Sequence, residues 1–427
     1  MDSTIFAIAT AQGGAIGIVR VSGPAAIAAV DGIFRGRHTL ADARPQSLHF
    51  GSICDGSHEI DQVLVSVFRA PHSYTGQDSV EISCHGSRYI LSRVCQLLSD
   101  AGCRQATGGE FTKRAYLNGK LDLSQAEAVA DLIASESAAQ HRVAMSQMRG
   151  GISRKLSELR DRLLTMTSLL ELELDFSEED VEFAQRNELM ELARGIRDEI
   201  QRLSNSFAAG NAIRNGIPVA IIGAPNVGKS TLLNALLHDD RAIVSDIQGT
   251  TRDVIEDTVT IDGYLFRFID TAGIRHTTDA IEKMGIERSM KAATRASTII
   301  LMRDPDTDFP AIETRPDQTV IRVVNKTPEF QAINGTGMEW LQQQLLASVP
   351  HSTGSDVLIT NIRHKQALDL ALADIDRTIQ ALTSGLTGDL VSEDLRQCLA
   401  HLAEILGSRI TPDEVLGTIF SRFCIGK

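Results

Sequence analysis

The chain has 427 residues, 43% of them hydrophobic, and a net charge of −13. That length exceeds one ordinary domain, so two or three are expected, and the acidic balance argues against nonspecific nucleic-acid binding by the whole surface. Aromatics make up only 4%, with Trp340 the single tryptophan, which favours aliphatic helices and α/β layers over an all-β sandwich.

The N-terminus carries no Lys or Arg before Arg20, and Thr10, Gln12, Gly13 and Gly14 break its apolar run, unlike a signal peptide. No 18-residue apolar stretch occurs, so a soluble cytoplasmic protein without a membrane span is expected. Residues 1–118 read as α+β. Short strands are predicted at Ile16–Val21, Val63–Phe68 and Val80–Ser83, with covering helices at Ala25–Val30 and Ile90–Leu98. The stretch His85–Lys120 holds six Lys/Arg against two Asp/Glu. Arg88, Arg93, Arg104, Lys113 and Arg114 within it read either as a solvated helix face or as a local basic patch that touches RNA. The cysteines (Cys54, Cys84, Cys95, Cys103, Cys398, Cys424) show no zinc spacing and read as reduced thiols.

After Lys120 the pattern becomes helical. Leu156, Leu159, Leu163, Met166, Leu170 and Leu174 form one stripe, and Leu189, Leu192, Ile196, Ile200, Leu203 and Phe207 a second. Glu171–Glu191 between them is strongly acidic, with nine acids against one Arg. Ala367, Leu370, Ala371, Ile375, Ile379 and Leu382, then Leu395, Leu399 and Leu402, repeat the stripe near the C-terminus. Bundle core is the reading of all of these. From about Ile217 to Pro350 strands and helices alternate, as an α/β domain inserted into a discontinuous helical bundle. The expected division is residues 1–118, 119–213, 214–350 and 351–427.

The inserted segment carries the chemistry. Val219–Ile222 is a buried-strand run, followed by Gly223-Ala-Pro-Asn-Val-Gly-Lys-Ser230 and a helical Thr231–Leu236, a GxxxxGK[ST] loop in its strand–loop–helix context. Backbone N–H groups from Asn226, Val227 and Gly228 through Thr231 would curl around phosphates, Lys229 would reach the β- and γ-phosphates, and the Ser230 hydroxyl would bind Mg²⁺. Gly249-Thr250-Thr251-Arg-Asp253 offers a switch threonine. Val259–Phe268 reads as a hairpin across Asp262-Gly263, ending at Asp270-Thr271-Ala272-Gly273, a DxxG element. Three phosphate elements in order point to a switch GTPase.

Ile274 follows Gly273, so no glutamine orients the water there; Glu282 and Glu287 are the nearby candidates, each otherwise a surface helix carboxylate. Base reading also departs from pattern. Asn325 and Lys326 begin an NKxD motif, but Pro328 stands where the aspartate belongs, and Ile333–Gly337 is a reduced second base loop. Losing that bidentate carboxylate should weaken guanine discrimination by roughly 1.5–3 kcal/mol, with Glu329 or Asp317 as substitutes. Met302–Val320 is too short for the usual helix between strands.

GAPNVGKS, DIQGTTRD and DTAGIR, with TIFAIATAQGGAIGIVRVSG, APHSYTGQDSVEISCHG, GEFTKRAYLNGKLDLSQAEAVADLI and the terminal Phe423-Cys-Ile-Gly-Lys427, resemble the tRNA-uridine modification GTPases of the MnmE (TrmE) family. The resemblance spans nearly the whole chain. It implies a folate-binding N-terminal domain that dimerises, a helical domain from two chain segments, and an inserted Ras-like G domain whose parallel sheet has one antiparallel strand. It implies GTP as substrate. It also implies that, with an MnmG/GidA-family flavoprotein, the chain installs an aminomethyl or carboxymethylaminomethyl group at the 5-position of the tRNA wobble uridine, using a tetrahydrofolate one-carbon donor. Arg20, Glu81, Lys120 and Lys427 match folate positions. Asn226 matches a K⁺ ligand, helped by carbonyls of Ser245, Ile247 and Thr250; Ser230 and Thr251 match Mg²⁺ ligands, and Glu282 the water-positioning glutamate. K⁺ would supply the charge that a glutamine or arginine finger otherwise provides. Cys424 reads equally as a chemical thiol or a buried hydrophobe. A ribosome-assembly type GTPase, needing no folate, and a decayed, nucleotide-insensitive scaffold are the competing readings.

Overall fold

A computed structural model describes residues 3–11, 13–175, 186–237, 257–269, 291–350, 357–384, 388–407 and 426. The chain forms two compact units, residues 1–130 with 403–427, and residues 131–402.

The first unit is built on a seven-stranded sheet. Its elements are β1 (Ile5–Ile8), β2 (Ile16–Ser22), α1 (Ala26–Ile33), β3 (Phe34–Gly36), β4 (Ser47–Asp55), β5 (His58–Phe68), β6 (Ser79–His85), α2 (Arg88–Asp100), β7 (Arg104–Gln105), α3 (Glu110–Leu117) and α4 (Leu123–Ile133). Strand order is β3-β4-β5-β6-β2-β1-β7, antiparallel except for the β1–β7 pair. Period-two alternation decides which face is covered. Val63, Val65 and Val67 share one core with Val19, Val21, Val80 and Ile82, which α1 and α2 close through Val30, Leu91, Val94 and Leu98. The predicted strands and helices are all present. β4 went unread because Ser47, His49, Gly51 and Ser52 dilute its alternation, and β1 because Ile5–Ile8 is a four-residue apolar run with no alternation to read.

The second unit holds α5 (Ala138–Met148), α6 (Gly151–Asp175), α7 (Arg186–Asn205), α8 (Phe207–Asn215), β8 (Ile217–Gly223), α9 (Lys229–Leu237), β9 (Asp257–Ile261), β10 (Tyr264–Phe268), β11 (Thr298–Arg303), β12 (Thr319–Val324), α10 (Met338–Ala347), α11 (Ile362–Thr383) and α12 (Gly388–Leu406). The stripes are buried as read at Leu156, Leu159, Leu163, Met166 and Leu170, and at Leu189, Ile196, Ile200 and Leu203. On α11 the reading is corrected at one position. Leu370 is 51% exposed, while the inward face runs through His364, Ala367, Leu368, Ala371 and Ile375. Leu370 follows Leu368 by two positions, about 200° around the helix, so the face that buries Leu368 turns Leu370 outward.

The second sheet has the order β12-β11-β8-β10-β9, with β10, β8, β11 and β12 parallel and β9 antiparallel. Asp262 and Gly263 turn the β9–β10 hairpin at φ values of 45° and 80°, the left-handed pair that a type I′ turn requires. The turn is held from outside, since the Ala139 N–H donates to the Gly263 carbonyl at 3.0 Å. Residues 304–318, joining β11 to β12, contain no helix, as the shortness of that stretch predicts. No helix among the described residues is long and apolar enough to cross a membrane.

Candidate functional site

Parallel strands deliver their C-terminal ends to one rim of the sheet, and the phosphate loop leaves β8 there. Gly223 closes β8 so tightly on β11 that an added Cβ would fall 2.5 Å from the Met302 carbonyl oxygen. Gly228 lies at φ 98°, and a Cβ there would meet Asn325 Nδ2 at 2.4 Å. Both positions therefore exclude side chains. Asn226 adopts φ 61°, a left-handed conformation that asparagine tolerates better than most residues.

The end of β12 holds this loop in shape. Asn325, 5% exposed, donates from Nδ2 to the Val227 carbonyl at 2.8 Å and accepts from the Ala332 N–H at 3.0 Å. Lys326, itself at φ 63°, donates from Nζ to the Asn226 carbonyl at 3.1 Å and to Asp304 Oδ2 at 3.5 Å. Two successive loop carbonyls are thus pulled toward β12. A trans peptide points C=O and N–H in opposite directions, so the N–H groups of Val227 and Gly228 face the other way, as an anion cradle requires. Lys229, the first residue of α9, donates to the Gly223 and Ala224 carbonyls at 2.8 Å each. Burial lowers its pKa by disfavouring the charged form, a cost that an approaching phosphate would offset. Ser230 and Thr231 follow in the first turn of α9, at the positive end of its dipole. Glycines that leave room for backbone, with a half-buried lysine and a first-turn hydroxyl, fit a Mg²⁺-polyphosphate.

The rim lacks a carboxylate at Pro328. Asp317 cannot supply one: it precedes β12, at the opposite end of the strand from Asn325, and pairs with Arg315 at 3.1 Å. Glu329 lies at the correct end, exposed in the turn closed between Thr327 and Phe330. Asp304 is the residue that sequence reading missed. Its signal was its place, directly after the apolar run of β11.

In the first unit, cross-strand register sets Arg20 opposite Glu81, and their side chains pair at 2.8 Å. The Arg20 guanidinium lies 5.6 Å from the Tyr74 ring centroid and 5.7 Å from that of Phe111, and donates to the Gly426 carbonyl at 3.3 Å. The C-terminal motif thus reaches Arg20. Lys120 donates to Pro71 O at 3.2 Å, on the loop that carries Tyr74. Tyr74 and Phe111 were not read from sequence, because only the fold brings them to Arg20.

Within the basic stretch Arg88 is exposed, whereas three other arginines are paired. Arg93 pairs with Asp55, Arg104 pairs with Glu110 at 2.6 Å, and Arg114, 3% exposed, bonds Gln77 and Glu110 at 3.0 Å each. Burial pushes the Glu110 carboxyl up, but Arg104, the Thr107 N–H and Arg114 outweigh it and hold the pKa at about 2. Ser245, Ile247, Gly249, Thr250, Thr251, Asp270, Thr271, Ala272, Gly273, Glu282, Cys424 and Lys427 lie outside the described residues.

Family models match on either side of residue 121. Residues 4–120 match the GTP-binding protein TrmE N-terminus, and residues 123–424 match the MnmE helical domain. A tRNA modification GTPase MnmE of Bacteroides fragilis is 52% identical over 464 positions, covering all of both chains. The chain belongs to the MnmE family. Other relatives carrying the MnmE name come from Parabacteroides distasonis, 52% identical with both chains covered whole, and Christiangramia forsetii, 46% identical with the same coverage. The Bacteroides fragilis alignment, longer than this chain, means that this MnmE relative carries segments absent here. A structure of Aquifex aeolicus Era bound to GDP and AlF4− overlaps 36% of the chain and 65% of its own, at 25% identity and a TM-score of 0.22. For this MnmE-family chain the fold rests on its own strand order.

Proposed function

We propose that this chain is a K⁺-dependent, Mg²⁺-requiring GTPase that acts in tRNA modification. The observation that carries the reading is the strapped loop, with Lys229 resting on the Gly223 and Ala224 carbonyls at 2.8 Å. On binding, the ammonium exchanges those carbonyls for phosphate oxygens, and the inward N–H groups take up the remaining charge. Ser230 and Thr251 would hold Mg²⁺; Asn226, with carbonyls of Ser245, Ile247 and Thr250, would hold K⁺. The two cations supply the positive charge that phosphoryl transfer needs. Gly249, Asp270, Thr271, Ala272 and Gly273 complete the nucleotide contacts, and Glu282 orients the attacking water.

The reading extends to a four-part chain: a folate-binding and dimerisation domain at 1–118, helical segments at 119–213 and 351–427, and a G domain at 214–350. Arg20, Glu81, Lys120 and Lys427 would bind a tetrahydrofolate derivative, the aromatic rings of Tyr74 and Phe111 supporting the guanidinium. A homodimer is supported by the uncovered sheet face, where Phe50 and Leu64 are direct cross-strand neighbours, 67% and 42% exposed. A flavoprotein of the MnmG/GidA family would be the partner in the cytoplasm. Together they would add the (carboxymethyl)aminomethyl group to the wobble uridine.

Hydrolysis measured in K⁺ and in Na⁺ tests the switch, and K⁺-stimulated turnover is the expected result. Wobble-uridine analysis of tRNA from a deletion strain tests the pathway; normally modified tRNA would reject it. A second reading, relaxed guanine selectivity, is favoured by Pro328. Comparable affinity for GDP and ADP is its signature.

A further inference from the structure

The connection from β11 to β12 has lost its helix, yet it is not an arbitrary loop. Arg303 donates from Nη1 to the carbonyls of Asp304, Pro305 and Thr307 at 3.2, 3.3 and 3.0 Å. Its guanidinium also lies 5.1 Å from the Phe309 ring centroid. The Thr307 hydroxyl donates to Asp304 Oδ1 at 2.8 Å, and the Thr307 N–H to the Asp304 carbonyl at 3.3 Å. These contacts close a four-residue turn with both backbone and side-chain bonds. One carboxylate oxygen of Asp304 is consumed inside the turn. The other, Oδ2, points to Lys326.

Lys326 stands in a left-handed conformation that lysine seldom adopts, so surrounding contacts must impose it. Its ammonium has two partners among the described residues, the Asn226 carbonyl and Asp304. The first is a neutral acceptor in the phosphate loop; the second supplies the charge that keeps the ammonium over that loop. Both acceptors lie outside the base-reading motif, one in the phosphate loop and one just past the end of β11.

We propose that Asp304 is a positioning residue for the phosphate cradle, acting through Lys326 to hold the Asn226 peptide in its anion-binding orientation without regard to the nucleobase. The inference rests on the nucleotide-binding reading above. It assigns a task to an Asn-Lys pair that persists although its aspartate partner is replaced by Pro328: the pair shapes the site for phosphates. Selectivity would then follow the phosphate tail.

The test is equilibrium binding of fluorescent GDP and ADP, and competition by inorganic pyrophosphate, to the full chain and to D304A, K326A, K326R and the D304A/K326A double variant. D304A is expected to weaken GDP, ADP and pyrophosphate by one common factor of about three to five, the scale of a partly exposed charge pair. K326A should do the same, K326R should retain most of the affinity, and the double variant should lose little more than either single one. D304A removes the Thr307 hydroxyl bond as well as the Lys326 pair, so the melting temperature of the nucleotide-free protein should fall modestly, and that of K326A, which leaves the turn intact, should fall less. Equal affinities in D304A and the unaltered chain would overturn the inference, as would additive losses in the double variant. A loss confined to GDP would also overturn it, by placing Asp304 against the base. If the unaltered chain bound none of the three ligands, the nucleotide reading itself would fall, which is a separate outcome.

Discussion

Asn325 reaches back 98 positions to the phosphate loop and donates to the Val227 carbonyl at 2.8 Å, while its own oxygen accepts from Ala332 at 3.0 Å. One buried carboxamide thus ties together β12, the loop after β8 and the segment leading into α10. N325A would leave a buried carbonyl and a buried N–H without partners, each costing about 1–3 kcal/mol. A loss of at least about 2 kcal/mol is expected in urea unfolding, with a parallel loss of nucleotide affinity; unchanged stability would refute the strap.

Gly228 tests the same contact from the other side. G228A places a methyl 2.4 Å from Asn325 Nδ2 and demands φ 98° of a residue with a side chain. Nucleotide affinity should fall more than about tenfold, because the loop must open to relieve both conflicts. Titration with a fluorescent nucleotide reads this directly.

Glu110 supplies a pH dependence. Its folded pKa of about 2 lies below the unfolded value, so its contribution is complete above about pH 4 and is lost as pH falls through about 2. The shift corresponds to at most about 3 kcal/mol, reduced by screening because Arg104 is 48% exposed. E110Q should cost about 1–2 kcal/mol at neutral pH and nearly nothing at the acid end. Acid titration of both proteins by circular dichroism decides it.

The bare sheet face makes a prediction about assembly. Phe50 and Leu64, with Leu48 at 61% exposure, offer apolar area of a kind usually covered in a stable protein. F50D/L64D should shift the protein from dimer to monomer in sedimentation while leaving nucleotide affinity intact. A dimer that survives both aspartates would move the interface elsewhere.

Local chemistry made the phosphate loop legible, since Gly223, Gly228, Lys229 and Ser230 are dictated by close backbone approach and charge within eight positions. The helical stripes were legible for a similar reason, except at Leu370, which lies two positions past the buried Leu368 and faces outward. The hairpin at Asp262-Gly263 was also local, a turn that left-handed geometry demands.

What lay far apart in the chain was decided only in three dimensions. Arg114 read as a charge for solvent or RNA and is buried on Gln77 and Glu110. Asp317 read as a substitute base reader and sits at the wrong end of β12. Tyr74 and Phe111 meet Arg20, and Asp304 meets Lys326, across separations no periodicity encodes. By itself the amino-acid order determined the loop's pattern of glycines and lysine and most of the element types, because both depend on neighbours within a turn or a strand. Charge pairing and burial needed the tertiary structure, because the energy of an ionic group is set by whatever the fold brings within a few ångströms of it.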